Sequence, residues 1–209
     1  NQRSGFRWNT TKAFLKPVRH RPNLAVETHA HVDHLVLDGK RVTGVVVRQK
    51  GEIRTLEARR AVVLAAGAIG SPQILQLSGI GPGALLSRFN VPLRHELKGV
   101  GENLQDHLQV RCAYKVHGVP TMNERYQSLF RRAGIALEYA LYRRGPMTMA
   151  PSQLGAFAKS DPERETPNLQ YHIQPLSLVK FGDPLDPFPA FTASVCNLRP
   201  TSRGHVRIA

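Results

Sequence analysis

Residues 65–81 read Ala65-Ala66-Gly67-Ala68-Ile69-Gly70-Ser71-Pro72-Gln73-Ile74-Leu75-Gln76-Leu77-Ser78-Gly79-Ile80-Gly81. An apolar run, Ala61 to Ala66, enters this stretch with the length and Val/Leu content of a buried strand. Gly67 and Gly70 remove side chains where the backbone must turn sharply or touch another group. Ser71-Pro72 reads as N-cap and first helical residue, so a helix is predicted from there. A strand, a small-residue turn and a helix start make a ready phosphate site, because unpaired N–H groups point out of the helix end. The residues alone allow a second reading of Ala65, Ala66 and Gly67, in which a strand ends in small residues merely to pack a helix closely.

Upstream, Thr11 to Val18 is predicted as a short helix ended by Pro17, and Asn23 to Thr28 as a strand. His34–Leu37 and Arg41–Gln49 flank Asp38-Gly39, a hairpin turn pair. Gly51-Glu52 turns the chain again into Ile53–Ala58, which completes a small antiparallel meander. Downstream, Gly83–Phe89 reads as a helix and Val91–Leu97 as an extended connector. Composition changes near His107, where a domain boundary is placed, giving domains 1–107 and 108–209. Leu108–Val116 alternates as a strand, and Asn123–Arg144 has apolar residues at helical spacing with Asn123 as a cap. Extended segments follow at Gln153–Ala158, Leu169–Gln174, Phe191–Asn197 and His205–Ile208, with a proline-rich acidic loop from Lys180 to Pro189. The fold class is therefore mixed, α+β with an α/β portion: a meander with a parallel strand and helix, then an antiparallel sheet with helical cover.

The chain has 209 residues, 41% of them hydrophobic, enough for one large domain or two small ones. No apolar run approaches the roughly 18 residues of a membrane span, and no secretory leader is visible. Asn1 is not a start methionine and His205–Ala209 stops inside an apparent strand, so an internal piece of a longer protein is expected. Cys112 and Cys196 lie far apart without CxxC spacing and read as ordinary buried thiols of a cytoplasmic protein. The formal charge of +14 raises a nucleic-acid partner. The basic residues are scattered, however, and no reading motif accompanies them, so no specific nucleic-acid role is assigned.

Gly67-Ala-Ile-Gly-Ser-Pro-Gln-Ile-Leu-Gln-Leu-Ser-Gly-Ile-Gly81 resembles the second signature of the glucose–methanol–choline (GMC) family of FAD-dependent oxidoreductases. Gly99-Val-Gly-Glu-Asn-Leu-Gln-Asp-His107, the opening Gly5–Pro17 and the closing Arg199-Pro-Thr-Ser-Arg-Gly204 are similar to that family too. The likeness is nearest to the choline dehydrogenase and alcohol dehydrogenase branch. It implies an FAD-binding domain followed by a substrate-binding domain, and oxidation of a primary alcohol by hydride transfer to flavin. It also implies that Ala65, Ala66 and Gly67 border the ADP part of FAD and that Val32 meets the adenine through its main chain. The family's catalytic His, paired with His or Asn, has no matching segment here. No catalytic residue is therefore assigned, and His117, His172 and His205 are not promoted to fill the gap. The 209-residue chain alone is expected to be inactive and not to retain FAD. A small-molecule alcohol is the partner implied; the oligomeric state is not readable.

Two motifs compete with this assignment. His29-Ala-His31-Val-Asp33-His34 has the HxHxDH pattern of zinc hydrolases of the metallo-β-lactamase type, in which His and Asp residues hold two zinc ions. Leu35–Val42 enters a hairpin instead of the glycine turn and helix that such a fold needs, and no later ligand segment appears. No metal site is assigned, and the hydrolase stands as the alternative function. Gly79-Ile-Gly-Pro-Gly-Ala84 fits G-x-G-x-x-A, but a glycine C-cap with proline beyond it is the preferred reading. Asn103, Asp106 and His107 are read as structural, their hydrogen bonds fixing a turn.

Overall fold

The computed structural model describes residues 2–150, 152–180 and 182–209. In chain order it contains β1 (Gln2–Arg3), β2 (Phe6–Arg7), a π-helical turn Thr11–Leu15 and α1 (Lys16–Val18). Then come β3 (His31–Asp38), β4 (Arg41–Gln49), β5 (Glu52–Glu57), α2 (Gly67–Leu77), β6 (Ile80–Gly81), α3 (Gly83–Arg88) and β7 (His95–Glu96). The remainder is β8 (Gln109–Lys115), α4 (Met122–Gln127), α5 (Leu129–Tyr142), β9 (Leu154–Ala158), β10 (Leu169–Gln174) and β11 (Ala190–Asn197). The chain divides into two compact units, Asn1–Leu24 with His107–Pro200, and Ala25–Asp106 with Thr201–Ala209.

In the unit built on Ala25–Asp106, β3, β4 and β5 form the antiparallel meander. Its hairpin loops are Gly39-Lys40 and Lys50-Gly51, since Asp38 pairs with Arg41 and Gln49 with Glu52. The first turn therefore sits one residue later than predicted. Leu35 and Val47 bury their side chains, each worth about 1.5–3 kcal/mol of removed apolar surface. Helix α2 packs on β3, where Ser78 Oγ accepts the Leu35 N–H at 2.8 Å and donates to the Ile74 carbonyl at 2.5 Å. Gly79, at φ +81°, ends α2 and carries the chain into β6, which pairs in parallel with β7.

Several predicted elements differ here. Ala61–Ala66 is not a strand: no ladder joins it among the described residues and Val63 is 85% exposed. Strand residues need a neighbour to take their N–H and C=O groups, and none stands beside this run. The same holds for Asn23–Thr28, and for His205–Ile208, whose backbone bonds go to the Gln76 side chain and the Gly101 carbonyl and form no ladder. Helix α2 begins at Gly67, so Ser71 and Pro72 lie inside it and are not its cap and first residue. Ser71 still serves the helix start, its Oγ accepting the Ala66 N–H at 3.1 Å.

The other unit holds a four-stranded antiparallel sheet in the order β8-β11-β10-β9. The helix predicted over Asn123–Arg144 is two helices. Ser128, at ψ 124°, breaks them and caps the second by accepting the Arg131 N–H at 3.4 Å. Thr121 caps the first in a box with Glu124, whose carboxylate accepts the Thr121 N–H at 3.1 Å. Asn123 is therefore not a cap. It is fully buried, its Nδ2 donating to Ser177 Oγ (2.9 Å) and to the Asp186 (3.1 Å) and Phe188 (3.0 Å) carbonyls, while its Oδ1 accepts the Ser177 N–H (2.9 Å). This one carboxamide holds the loop 177–188, of which Phe181 lies outside the described residues. Cys196 is buried as predicted, but Cys112 is exposed because β8 is an edge strand with no cover on that side.

Candidate cofactor site

The bend that opens α2 is bare main chain. Gly67 sits at φ +79°, a conformation that L side chains rarely adopt, and a Cβ built there meets nothing within 4 Å. Ala65 and Ala66 are exposed, no acidic residue occupies the first turn of the helix, and no side chain of Ala66 can cap it. The N–H groups of that turn point outward at the positive end of an eleven-residue helix. Gly70 lets the turn close, since a Cβ there would stand 3.0 Å from that of Ala66. Beside the bend, Ala68 and Pro72 form one wall of a cavity of about 360 Å³ whose other wall runs from Gly101 to Gln105. Small residues, bare amides and adjoining space fit a diphosphate-bearing group.

Val32 lies half-buried on β3 opposite Val47, next to a bulge at Asp33. Among the described residues no hydrogen bond joins it to Ala65, Ala66 or Gly67. The structure places all four predicted residues in one unit without bringing Val32 and the bend into a shared bond.

The segment 99–106 is tied into the same unit by residues the sequence did not single out. Leu104 and Gly204 exchange backbone bonds of 2.9 and 2.7 Å, and Val206 donates to the Gly101 carbonyl at 2.7 Å. Gln76, fully buried in α2, donates through Nε2 to the Val206 (2.9 Å) and Val100 (3.3 Å) carbonyls and accepts the Ile208 N–H (2.9 Å). Its carboxamide does for residues 206–208 what a neighbouring strand would do. The only hint in the sequence is an amide, one of two with Gln73, inside a largely apolar helical run. Asn103 takes φ +64° within this turn, as suits an Asn in a structural role.

The histidine motif does not gather. His29 stands at φ +55° before the strand, His31 begins β3, and Asp33 sits in the bulge. Asp33 is engaged by its neighbours, with Oδ2 3.1 Å from His34 Nδ1 and Oδ1 accepting from Arg48 Nη2 at 3.4 Å. The hydrogen bond to His34, helped by the Arg48 charge, holds its carboxyl below the usual carboxylate range. Among the described residues, no group of three or more His, Cys, Asp or Glu could hold a metal ion. The G-x-G-x-x-A segment is closed to an anion as well, because Glu96 Oε2 already accepts the Gly83 N–H at 3.1 Å.

Comparison with known proteins identifies the chain's family. Residues 1–109 match the family model described as GMC oxidoreductase. The chain belongs to the GMC oxidoreductase family. It is 38% identical over 207 residues to the oxygen-dependent choline dehydrogenase 1 of Chromohalobacter salexigens, covering 98% of this chain and 36% of that protein. The chain thus spans little more than a third of the curated relatives it matches. Pyridoxine 4-oxidase from Mesorbium loti superposes with a TM-score of 0.77 and 28% identity over 100% of this chain and 37% of its own. An FAD-dependent oxidoreductase from Chaetomium thermophilum, at 21% identity, shares the fold with a TM-score of 0.82 over 97% of this chain and 41% of its own. The family match runs through residues 29–34, of which His31–His34 lie in the meander strand β3, and leaves the metallo-β-lactamase alternative without support. Among the described residues, no helix is long and apolar enough to cross a membrane.

Proposed function

We propose that the chain is the central part of an FAD-dependent oxidoreductase that converts a primary alcohol to an aldehyde. Residues 1–107 supply most of its FAD-binding domain and residues 108–209 most of its substrate-binding domain, with Asn1–Leu24 and Thr201–Ala209 each packing in the other's compact unit. The observation that carries this is the bare bend at Ala65-Ala66-Gly67, set at the positive end of α2 in a chain of the GMC family. FAD, when bound, supplies the hydride acceptor. The chain's own part is to hold the cofactor. Ala65, Ala66 and Gly67 keep side-chain bulk away from the diphosphate, the first-turn N–H groups of α2 favour its negative charge, and Val32 offers main-chain groups to the adenine. No residue of this chain is assigned to proton transfer. The relatives named for choline and pyridoxine support an alcohol substrate as a class.

Gly67→Val in the full-length enzyme tests the reading. A Cβ-branched residue cannot hold φ +79° without strain and fills the space before the bend. Flavin affinity is expected to fall by roughly tenfold or more, measured by visible absorbance per protein and by FAD titration of the apoenzyme. Unchanged flavin content would remove the bend from the cofactor site. The 209-residue chain alone is expected to purify without colour.

A further inference from the structure

Helix α5 lies on the unit that carries the four-stranded sheet with almost none of itself covered. None of its 14 residues is buried, and only Ile135 and Tyr139, one turn apart, are half-buried. A helix of this length is marginal in water without a packed face. α5 is pinned instead at its two ends. Ser128 caps its start, and at its end the Arg143 guanidinium lies between the rings of Phe6 (4.8 Å) and Tyr139 (5.0 Å). The hairpin of β1 and β2, part of the same compact unit, comes so close there that a Cβ on Gly5 would collide with the Arg143 carbonyl.

The face turned away from Ile135 and Tyr139 is apolar. At 3.6 residues per turn, Leu129, Phe130, Ala133, Leu137, Ala140 and Leu141 form one stripe along the helix. Phe130 is 91% exposed and Leu129 71%, and Leu137 and Leu141 stand open with them. Single exposed apolar residues are ordinary, but a stripe that runs the length of a helix marks a surface that something covers.

The charge beside the stripe selects the cover. Residues 125–144 hold five arginines (Arg125, Arg131, Arg132, Arg143 and Arg144) and one carboxylate, Glu138. By helical spacing Arg132 runs along one edge of the stripe, and Arg131 with Glu138 along the other. Among the described residues Arg125, Arg131 and Arg144 make no ion pair. Residues 1–24 of the same unit add Lys12, Lys16, Arg19 and Arg21 and contain no aspartate or glutamate. A protein laid over the stripe has to take these guanidiniums out of water or bring a carboxylate to each. An anionic bilayer does neither: long basic side chains reach lipid phosphates while the apolar stripe enters the boundary below them.

We propose that α5 is a membrane-surface helix, whose stripe from Leu129 to Leu141 inserts at the headgroup–acyl boundary of a bilayer rich in anionic phospholipid, with the flanking arginines on the phosphates. Its 14 residues are too few to cross, so the helix lies along the surface. The protein is in that case a peripheral membrane enzyme, held by a helix that takes no part in the proposed flavin site.

The full-length, flavin-loaded enzyme is sedimented with vesicles of phosphatidylcholine alone and of phosphatidylcholine mixed equally with phosphatidylglycerol. Association with the mixed vesicles is expected to be about tenfold or more the stronger, and to weaken as salt is raised. Phe130→Ser combined with Leu137→Ser should lower it by roughly tenfold or more. Arg131→Gln combined with Arg144→Gln should lower it by roughly fivefold per charge and flatten the salt dependence. Flavin absorbance reports whether each variant folds. If the serine variant loses its flavin, the arginine variant and Phe130→Trp carry the test. In Phe130→Trp, the added emission should be that of an indole in water, open to acrylamide, and should shift to the blue with mixed vesicles. Equal association with both vesicle types overturns the proposal, and so does unchanged association in both flavin-loaded variants. An indole at position 130 that is shielded without vesicles also overturns it, because the stripe then lies against the rest of the protein or a second copy. Binding is read without turnover, so each of these results leaves the flavoenzyme reading intact.

Discussion

The central strand β11 and the extended run Ala61–Ala65 are made of the same small and β-branched residues, yet their fates differ. β11 has a partner along each edge, every residue from Ala190 to Cys196 facing one on β8. The run at 61–65 has none among the described residues, and Val63 stands open. Composition makes a segment able to be a strand; a neighbour in register makes it one. The comparison also separates two tasks. The four-stranded sheet pairs its central strands on both edges, whereas the segment leading into the bend leaves backbone and small side chains bare where a cofactor is proposed to lie.

This contrast can be broken by substitution, beginning where the effect is largest. Asn123→Ala removes a buried carboxamide that serves Ser177, Asp186 and Phe188, and is expected to cost about 3–5 kcal/mol, read by urea denaturation. Gln76→Leu leaves the Val206 carbonyl and Ile208 N–H without their partner and should cost about 2–3 kcal/mol. Faster hydrogen exchange at residues 204–208 would localise that loss. Val63→Ser is expected to change the stability of this chain by less than about 0.5 kcal/mol, because the side chain is exposed. A cost above about 2 kcal/mol would mean that the run is buried after all. The smallest effect is at Asp33, where His34 and Arg48 lower the folded-state pKa. A lowered carboxyl pKa adds stability that is fully present above the unfolded value, about 3.9, and is lost as pH falls through the folded value. The advantage of wild type over Asp33→Asn should therefore hold at about pH 6 and vanish toward about pH 2, by thermal denaturation at each pH.

Much of the architecture was legible. β4, β10 and the hairpin turns follow from alternation and from Gly39 and Gly51, because a half-buried strand has period two and a tight turn needs a permissive backbone. The break at Ser128 escaped because the apolar residues that show helical spacing, Leu129, Ile135 and Tyr139, all lie in α5 and say nothing of residues 123–128; the Thr121–Glu124 capping box was the signal that could have placed the first start. Asn123 and Gln76 were illegible as hubs, since a carboxamide carries no mark in sequence of the distant carbonyls it will meet. For the candidate site, the small residues at 65–67 could be read directly, but their exposure could not.

By itself the sequence determined the family, through the densely specified run from Gly67 to Gly81, and the local turns, because glycine, proline and capping residues act on their own backbone. Tertiary structure alone decided which apolar runs became strands, which amides became hubs, and which polar side chains share one face of the four-stranded sheet. Each of these depends on residues brought together from more than 20 positions apart, such as Arg111, His172 and Ser194. Local chemistry specifies how a segment bends; only pairing in space specifies what it faces.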